Sequence, residues 1–149
     1  MNKEEKRLQG KRNRRKGLEF GRKVKKDLES QGWIVTKWNN NLKEVEKYKN
    51  DNEAKFDIKY NDYKCVASKP GPFRQMQTGF PDFMAFKPSH LPNLYEVDFI
   101  ECKVNGRMKK EENAKAQWYL NSNYCNEFWI ASLDDNGDIY YNNKKGEEI

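Results

Sequence analysis

Two short stretches hold residue types that could do chemistry together: Gly79-Phe80-Pro81-Asp82-Phe83 and Phe99-Ile100-Glu101-Cys102-Lys103. In the first, an Asp follows a Pro at the start of an apolar run. In the second, Glu-x-Lys interrupts another apolar run. Polar side chains are rare inside strand-like segments unless they are paired or working. Residues i and i+2 of a strand share a face, so Glu101 and Lys103 should project together, and an adjacent strand could bring Asp82 beside them. Two carboxylates offer hard oxygen ligands to Mg²⁺ or Mn²⁺, and a neighbouring lysine can order or activate water. Such a set suits hydrolysis of a phosphodiester. The plainer readings are a turn Asp after Pro and a same-face ion pair on an exposed strand that also carries Glu96 and Asp98.

The elements that must position these residues follow from local patterns. Residues 1–15 read as a flexible basic arm. From Gly17 to Gln31, Phe20, Val24 and Leu28 recur every fourth residue and mark one helical stripe. Gly32 stands where a helix-ending glycine belongs. Trp33–Trp38 is rich in β-branched and aromatic residues and reads as a strand. Residues 39–53 read as a loop or a short exposed helix. Phe56–Tyr60 and Tyr63–Ala67 could pair across Asn61-Asp62. Ser68–Thr78, with Lys69-Pro70-Gly71-Pro72, reads as a loop. Phe80–Phe86 and Tyr95–Val104 read as central strands, Glu112–Asn123 as a helix, and Glu127–Leu133 with Asp138–Tyr141 as a hairpin across Asn136-Gly137. The expected fold is a single α/β domain with a mixed central sheet flanked by helices.

Composition narrows the partners. Residues 1–26 hold 12 Lys/Arg against 3 Glu, whereas the rest holds 17 against 20 acidic residues. A solvated tail is one reading. The asymmetry favours a polyanion, because neutralising phosphates releases counterions. A membrane surface fits less well, since the arm has few apolar residues to insert. Cys65, Cys102 and Cys125 form no CxxC pair, so a reducing, intracellular compartment is expected. With His90 as the one histidine, a zinc site is implausible, and His90 itself reads as incidental. No apolar run long enough to span a membrane and no secretory signal are visible. Trp33, Trp38, Trp118 and Trp129 read as core residues rather than base-stacking platforms.

Pro81-Asp82 followed by Glu101-Cys102-Lys103 resembles the PD-(D/E)xK nuclease superfamily. Gly79–Asp82, Phe99–Lys103, Gly106 and Gln117-Trp118 resemble the virus-type replication-repair nuclease module. Lys16 to Trp38 resembles the opening helix and strand of archaeal and phage Holliday junction resolvases. The resemblance spans roughly residues 16–133, and it implies a restriction-endonuclease-like nuclease domain over 16–149. It also implies that Asp82, Glu101 and the backbone carbonyl of Cys102 ligate Mg²⁺ or Mn²⁺. Lys103 would position the attacking water, and Gln117 would project toward the same site. Family members usually carry a Glu on the first helix in phase with the apolar stripe. That place is Gly21 here, and Glu19 serves only if the helix is phased differently.

The resulting expectation is a metal-dependent DNA endonuclease acting on branched DNA, as a homodimer, in recombination or repair. Lys11, Arg12, Arg14, Arg15, Lys16, Arg22, Lys69 and Arg74 would contact DNA. A general or restriction-type duplex nuclease, a non-catalytic DNA-binding protein of the same fold, and an RNA nuclease stand as alternatives. A small nuclease of this kind would suit a virus or mobile element.

Overall fold

The computed structural model describes residues 2–51, 56–68 and 79–145. Its elements run α1 (Lys3–Ser30), β1 (Ile34–Lys37), β2 (Asn40–Asp51), β3 (Phe56–Ala67), β4 (Phe83–Pro88), β5 (Tyr95–Cys102), α2 (Lys110–Asn121), β6 (Glu127–Leu133) and β7 (Ile139–Lys144). They gather into two compact units. One comprises 1–38 with 81–149 and the other 39–80.

The larger unit carries a five-stranded sheet of order β1-β4-β5-β6-β7 and both helices. β5 and β6 are parallel, joined through α2, and every other neighbouring pair is antiparallel. The sheet is therefore mixed, as expected of an α/β chain. Along β5, side chains alternate between its faces. Ile100 packs with Val35, Ala85 and Ala131 against Phe20, Val24 and Leu28 of α1. Phe99 lies on the other face, its ring 4.8 Å from Trp38 and 4.9 Å from Tyr119 of α2. The four tryptophans are half-buried packing residues. Trp38 Nε1 also donates to the Tyr119 hydroxyl at 3.3 Å.

α1 differs from expectation at its start. Residues 3–15 are the first turns of one 28-residue helix, not an arm preceding it. The cause is a capping box: Asn2 Oδ1 accepts from Glu5 N at 2.8 Å, and Glu5 Oε2 accepts from Asn2 N at 2.7 Å. Lys, Arg, Gln and Glu then carry the helix on propensity. Its end matches the reading of Gly32, which has φ +88°. Gly32 N donates to Glu29 O and Trp33 N to Leu28 O, each at 3.1 Å, the paired bonds of a glycine-terminated helix.

The smaller unit is an antiparallel pair, β2 with β3, in unbroken register from Asn40↔Ala67 to Asp51↔Phe56. Two expectations are corrected here. Residues 40–51 form a strand rather than a loop or helix. The expected turn at Asn61-Asp62 lies mid-strand, where the two residues pair with Glu46 and Val45. A full cross-strand ladder satisfies backbone groups that a local turn would leave to water. The expected loop over 69–78 lies outside the described residues. Smaller shifts occur elsewhere: β4 starts after Asp82, β5 stops before Lys103, and α2 begins two residues ahead of Glu112.

Candidate active site

Asp82 lies just ahead of β4, where its carbonyl accepts from Trp38 N at 3.1 Å and so continues the β1–β4 pairing. Its carboxylate turns toward β5, with Oδ2 accepting from Cys102 N at 2.9 Å. In return, Asp82 N donates to Glu101 Oε2 at 3.1 Å. These two bonds lock both acids at one end of the β4–β5 pair.

Glu101 is 5% exposed and shares the Phe99 face, opposite the face that α1 covers. Lys103 stands one residue beyond β5, but its N–H donates to Ala131 O at 2.8 Å and extends the ladder. Its ammonium therefore still falls beside Glu101, with Nζ 2.9 Å from Oε1. Gly106 closes the turn that follows, donating to Lys103 O at 2.7 Å with φ +67°, a conformation glycine adopts without strain.

Lys103 has a second partner that the sequence reading did not assign. Glu112 Oε1 lies 2.8 Å from Nζ, and Oε2 accepts from Lys109 N at 2.7 Å. Glu112 is the third residue of α2, so it caps the helix with one oxygen and holds the lysine with the other. The available signal was a Glu at the third position of a helix start. A helix start placed at Glu112 itself hides that signal, because α2 begins two residues earlier.

Three acids crowd this corner: Glu101 and Glu112 share the Lys103 ammonium, and Asp82 lies within reach of the Lys103 and Lys37 charges. Burial raises the Asp82 carboxyl above its ordinary value despite the Cys102 N–H and the Lys103 and Lys37 charges. Burial raises Glu101 further, the Asp82 charge adds to it, and Lys103 only partly offsets them, so the group titrates at about 8 instead of 4.5. Burial pulls Lys103 down, but its bond to Glu112 and the Glu101 charge outweigh that and hold it above its ordinary value. Glu112 is lowered: burial is outweighed by its bonds from Lys103 and Lys109 N. The Cys102 thiol is pushed well up by burial and by both neighbouring carboxylates.

A divalent cation would relieve this crowding. Among the described residues no group of three or more His, Cys, Asp or Glu side chains could hold a metal. The donors here are two carboxylates and backbone. Because a strand residue's N–H and C=O face the same edge, the Cys102 N–H bond to Asp82 puts the Cys102 carbonyl on Asp82's side. Two carboxylates, a carbonyl, water and substrate phosphate are the hard ligands Mg²⁺ accepts.

Among the described residues, the others expected at the site have different partners or none of the bonds described above. Gln117 Nε2 donates to Asn121 Oδ1 at 3.0 Å along α2, and Glu112 instead is the α2 residue that reaches Lys103. The Glu19 side chain is 52% exposed and pairs with Arg15 Nε at 3.0 Å. Gly21 does lie in phase with the buried stripe, and a Cβ there would meet the Phe83 ring at 3.7 Å. Lys11, Arg12, Arg14, Arg15, Lys16 and Arg22 are exposed on α1, whereas Lys69 and Arg74 lie outside the described residues.

Among the described residues Cys65 and Cys102 are half-buried, Cys125 is buried, and none of the three is in a disulfide. No helix among the described residues is long and apolar enough to cross a membrane. The chain matches no protein-family model, no curated protein and no solved structure.

Proposed function

We propose that this chain is a metal-dependent DNA endonuclease of the PD-(D/E)xK type, built on the restriction-endonuclease-like fold. The observation that carries the reading is geometric: half-buried Asp82 and buried Glu101 are tied at one strand end by paired hydrogen bonds, from Cys102 N to Asp82 and from Asp82 N to Glu101, with the Lys103 ammonium beside Glu101. Buried acids are costly unless paired or metal-bound, and hard oxygens call for Mg²⁺ or Mn²⁺. Such an ion, when bound, polarises the scissile phosphate and acidifies water.

The chain's own groups do the rest. Asp82 and Glu101 hold the ligand geometry through the paired bonds between β4 and β5. Lys103 stays protonated, so it is not a general base. It orients the attacking water through N–H donation and offsets charge developing on the phosphate. Glu112 fixes the lysine's position. Exposed basic residues of α1 supply sequence-independent affinity for phosphates.

Branched DNA, cut by a homodimer with one site per strand, is the preferred substrate. It rests on the likeness of residues 16–38 to junction resolvases, beside the likeness of the two motifs to the virus-type replication-repair nuclease module. The test is cleavage of a synthetic four-way junction beside a linear duplex of matched sequence, in Mg²⁺ or Mn²⁺. Paired symmetric nicks in the junction alone support a resolvase, and cutting of both points to a general duplex nuclease. Cutting of neither shifts the reading to a non-catalytic DNA-binding protein. The exposed, Arg15-paired position of Glu19 favours that second reading, because it leaves the first helix without the acid such nucleases usually carry.

A further inference from the structure

α1 changes character partway along. From Phe20 onward it buries a stripe against the sheet. Before Phe20, every described residue is exposed. On the stripe's own helical line the earlier positions are Lys6, Gly10, Asn13 and Gly17, so nothing apolar continues it. Leu8 and Leu18, 46% and 40% exposed, are the apolar residues in this stretch, and they do not form a seam.

The capping box and helix propensity favour this half-helix, but its charges and glycines work against it. Lys3–Arg7, Arg7–Lys11, Lys11–Arg15 and Arg12–Lys16 place like charges four residues apart, which disfavours the helix. Gly10 and Gly17 weaken it further, and no packing offsets them, since a Cβ at either would touch nothing within 4 Å. The Arg15–Glu19 pair is one exposed compensation. What this half-helix lacks is negative charge along its length, and a nucleic-acid backbone presents one phosphate charge per ~1.7 Å of duplex.

We infer that the first four turns of α1 bind the phosphate backbone of double-stranded DNA as a helix, and that their continuity with the packed half of α1 makes them a rigid lever rather than a tether. The inference deepens the proposed function and rests on it for the choice of DNA as the polyanion. Phosphates neutralise the repelling charges, so DNA and helix stabilise one another. A lever of ~20 Å, at ~1.5 Å per residue, spans about six base pairs at ~3.4 Å each. Because the packed half of α1 and β5 share one core, this contact holds the duplex in fixed orientation to the strand that carries Glu101. A second copy of the chain fits this surface poorly, because it would present the same positive charge.

The experiment is binding of a labelled duplex by fluorescence anisotropy in EDTA across a salt series, so that cleavage plays no part. Gly17→Pro keeps every charge but breaks the helix ahead of the packed half. It should weaken binding about tenfold while leaving the melting temperature of the core unchanged. Gly10→Ala/Gly17→Ala stiffens the same stretch and should tighten binding several-fold. Replacing Lys11, Arg12, Arg15 and Lys16 with Gln should flatten the slope of log affinity against log salt by about 3 to 4. Helical circular dichroism should rise when wild type meets DNA.

Wild-type affinity in Gly17→Pro would overturn the lever, since a tether tolerates a break. An unchanged salt slope in the four-Gln variant, or binding to anionic vesicles in preference to DNA, would overturn the DNA contact. Loss of cleavage with these binding effects intact would count against the nuclease reading and leave the lever standing.

Discussion

Asp98 and Glu101 are two buried acids three residues apart on one strand, 6% and 5% exposed, and their surroundings could hardly differ more. Asp98 lies on the α1 face. Its Oδ1 accepts from Glu127 N at 3.1 Å and its Oδ2 from Trp129 Nε1 at 3.0 Å. Burial raises its carboxyl, these neutral donors partly offset that, and the Glu127 and Glu96 charges add a smaller upward push. Glu101 lies on the opposite face beside another carboxylate and a lysine that it shares with Glu112. Asp98 ties β5 to β6 and has each oxygen satisfied. Glu101 is buried beside the Asp82 charge, and Lys103 offsets the two only in part. Burial by itself does not separate structure from function, but the nature of the partners does.

The largest expected effect that separates them is on cleavage. Glu101→Ala should reduce cleavage by about 10³-fold or more while duplex binding in EDTA stays within about twofold, as expected for loss of transition-state charge stabilisation. Asp98→Ala should do the reverse: cleavage per folded molecule persists, but the protein loses about 2–4 kcal/mol of stability in urea unfolding, because Glu127 N–H and Trp129 Nε1 are left unpaired. If Asp98→Ala ends cleavage in protein that melts normally, the division of labour drawn here is wrong.

The Lys103–Glu112 contact sharpens the picture. Glu112→Gln keeps a capping oxygen but loses the charge, so kcat should fall about 10–100-fold with little change in KM, the range for outer partners that orient a site. An equal fall in Lys109→Pro, which removes the N–H that Glu112 accepts, would indicate mere helix fraying.

A smaller effect follows from pH. Glu101 titrates at about 8 when folded against 4.5 ordinarily. Below 4.5 both folded and unfolded chains hold the proton. Between 4.5 and about 8 the unfolded chain releases it and the folded chain keeps it, so stability falls as pH rises through that window. Asp82 and Asp98, also raised, act in the same direction. Melting without divalent ions should show this fall, and Glu101→Gln should flatten it. Added Mn²⁺ should restore the wild type most at the alkaline end, where no proton competes. The smallest effect expected is that of Glu19→Gln, with cleavage changed less than about twofold, because its exposed contact is with Arg15.

Much of this fold was legible because particular residues announce themselves. Phe20, Val24 and Leu28 repeat at helical spacing and are buried as a stripe. Asn136-Gly137 marks the β6–β7 turn, where Gly137 has φ +84°. Asp82, Glu101 and Lys103 were visible as polar residues where apolar ones were due, and bonds between them bring all three together.

What escaped has physical reasons as well. In β2, Leu42, Val45 and Tyr48 are spaced by three, which hides a strand's alternation. In β3, the apolar phase shifts between Tyr60 and Tyr63 beside Asn61-Asp62, and the shift imitates a turn. Long-range pairing of twelve residues with twelve overrode both local signals. The first half of α1 has no apolar period to read, and its sole mark is the Asn2–Glu5 capping box. A helix start at Lys110 marks Glu112 as a capping residue, but its second role as acceptor of Lys103 depends on where α2 meets the end of β5.

The most direct measurement is a Mn²⁺ titration followed by electron paramagnetic resonance in the presence of a short DNA duplex, comparing wild type with Asp82→Asn/Glu101→Gln. The account predicts bound Mn²⁺ in the wild type that is lost in the double variant, with DNA binding in EDTA unchanged. Equal Mn²⁺ binding by the two proteins, or none by the wild type, would contradict the claim that these two carboxylates form a metal site.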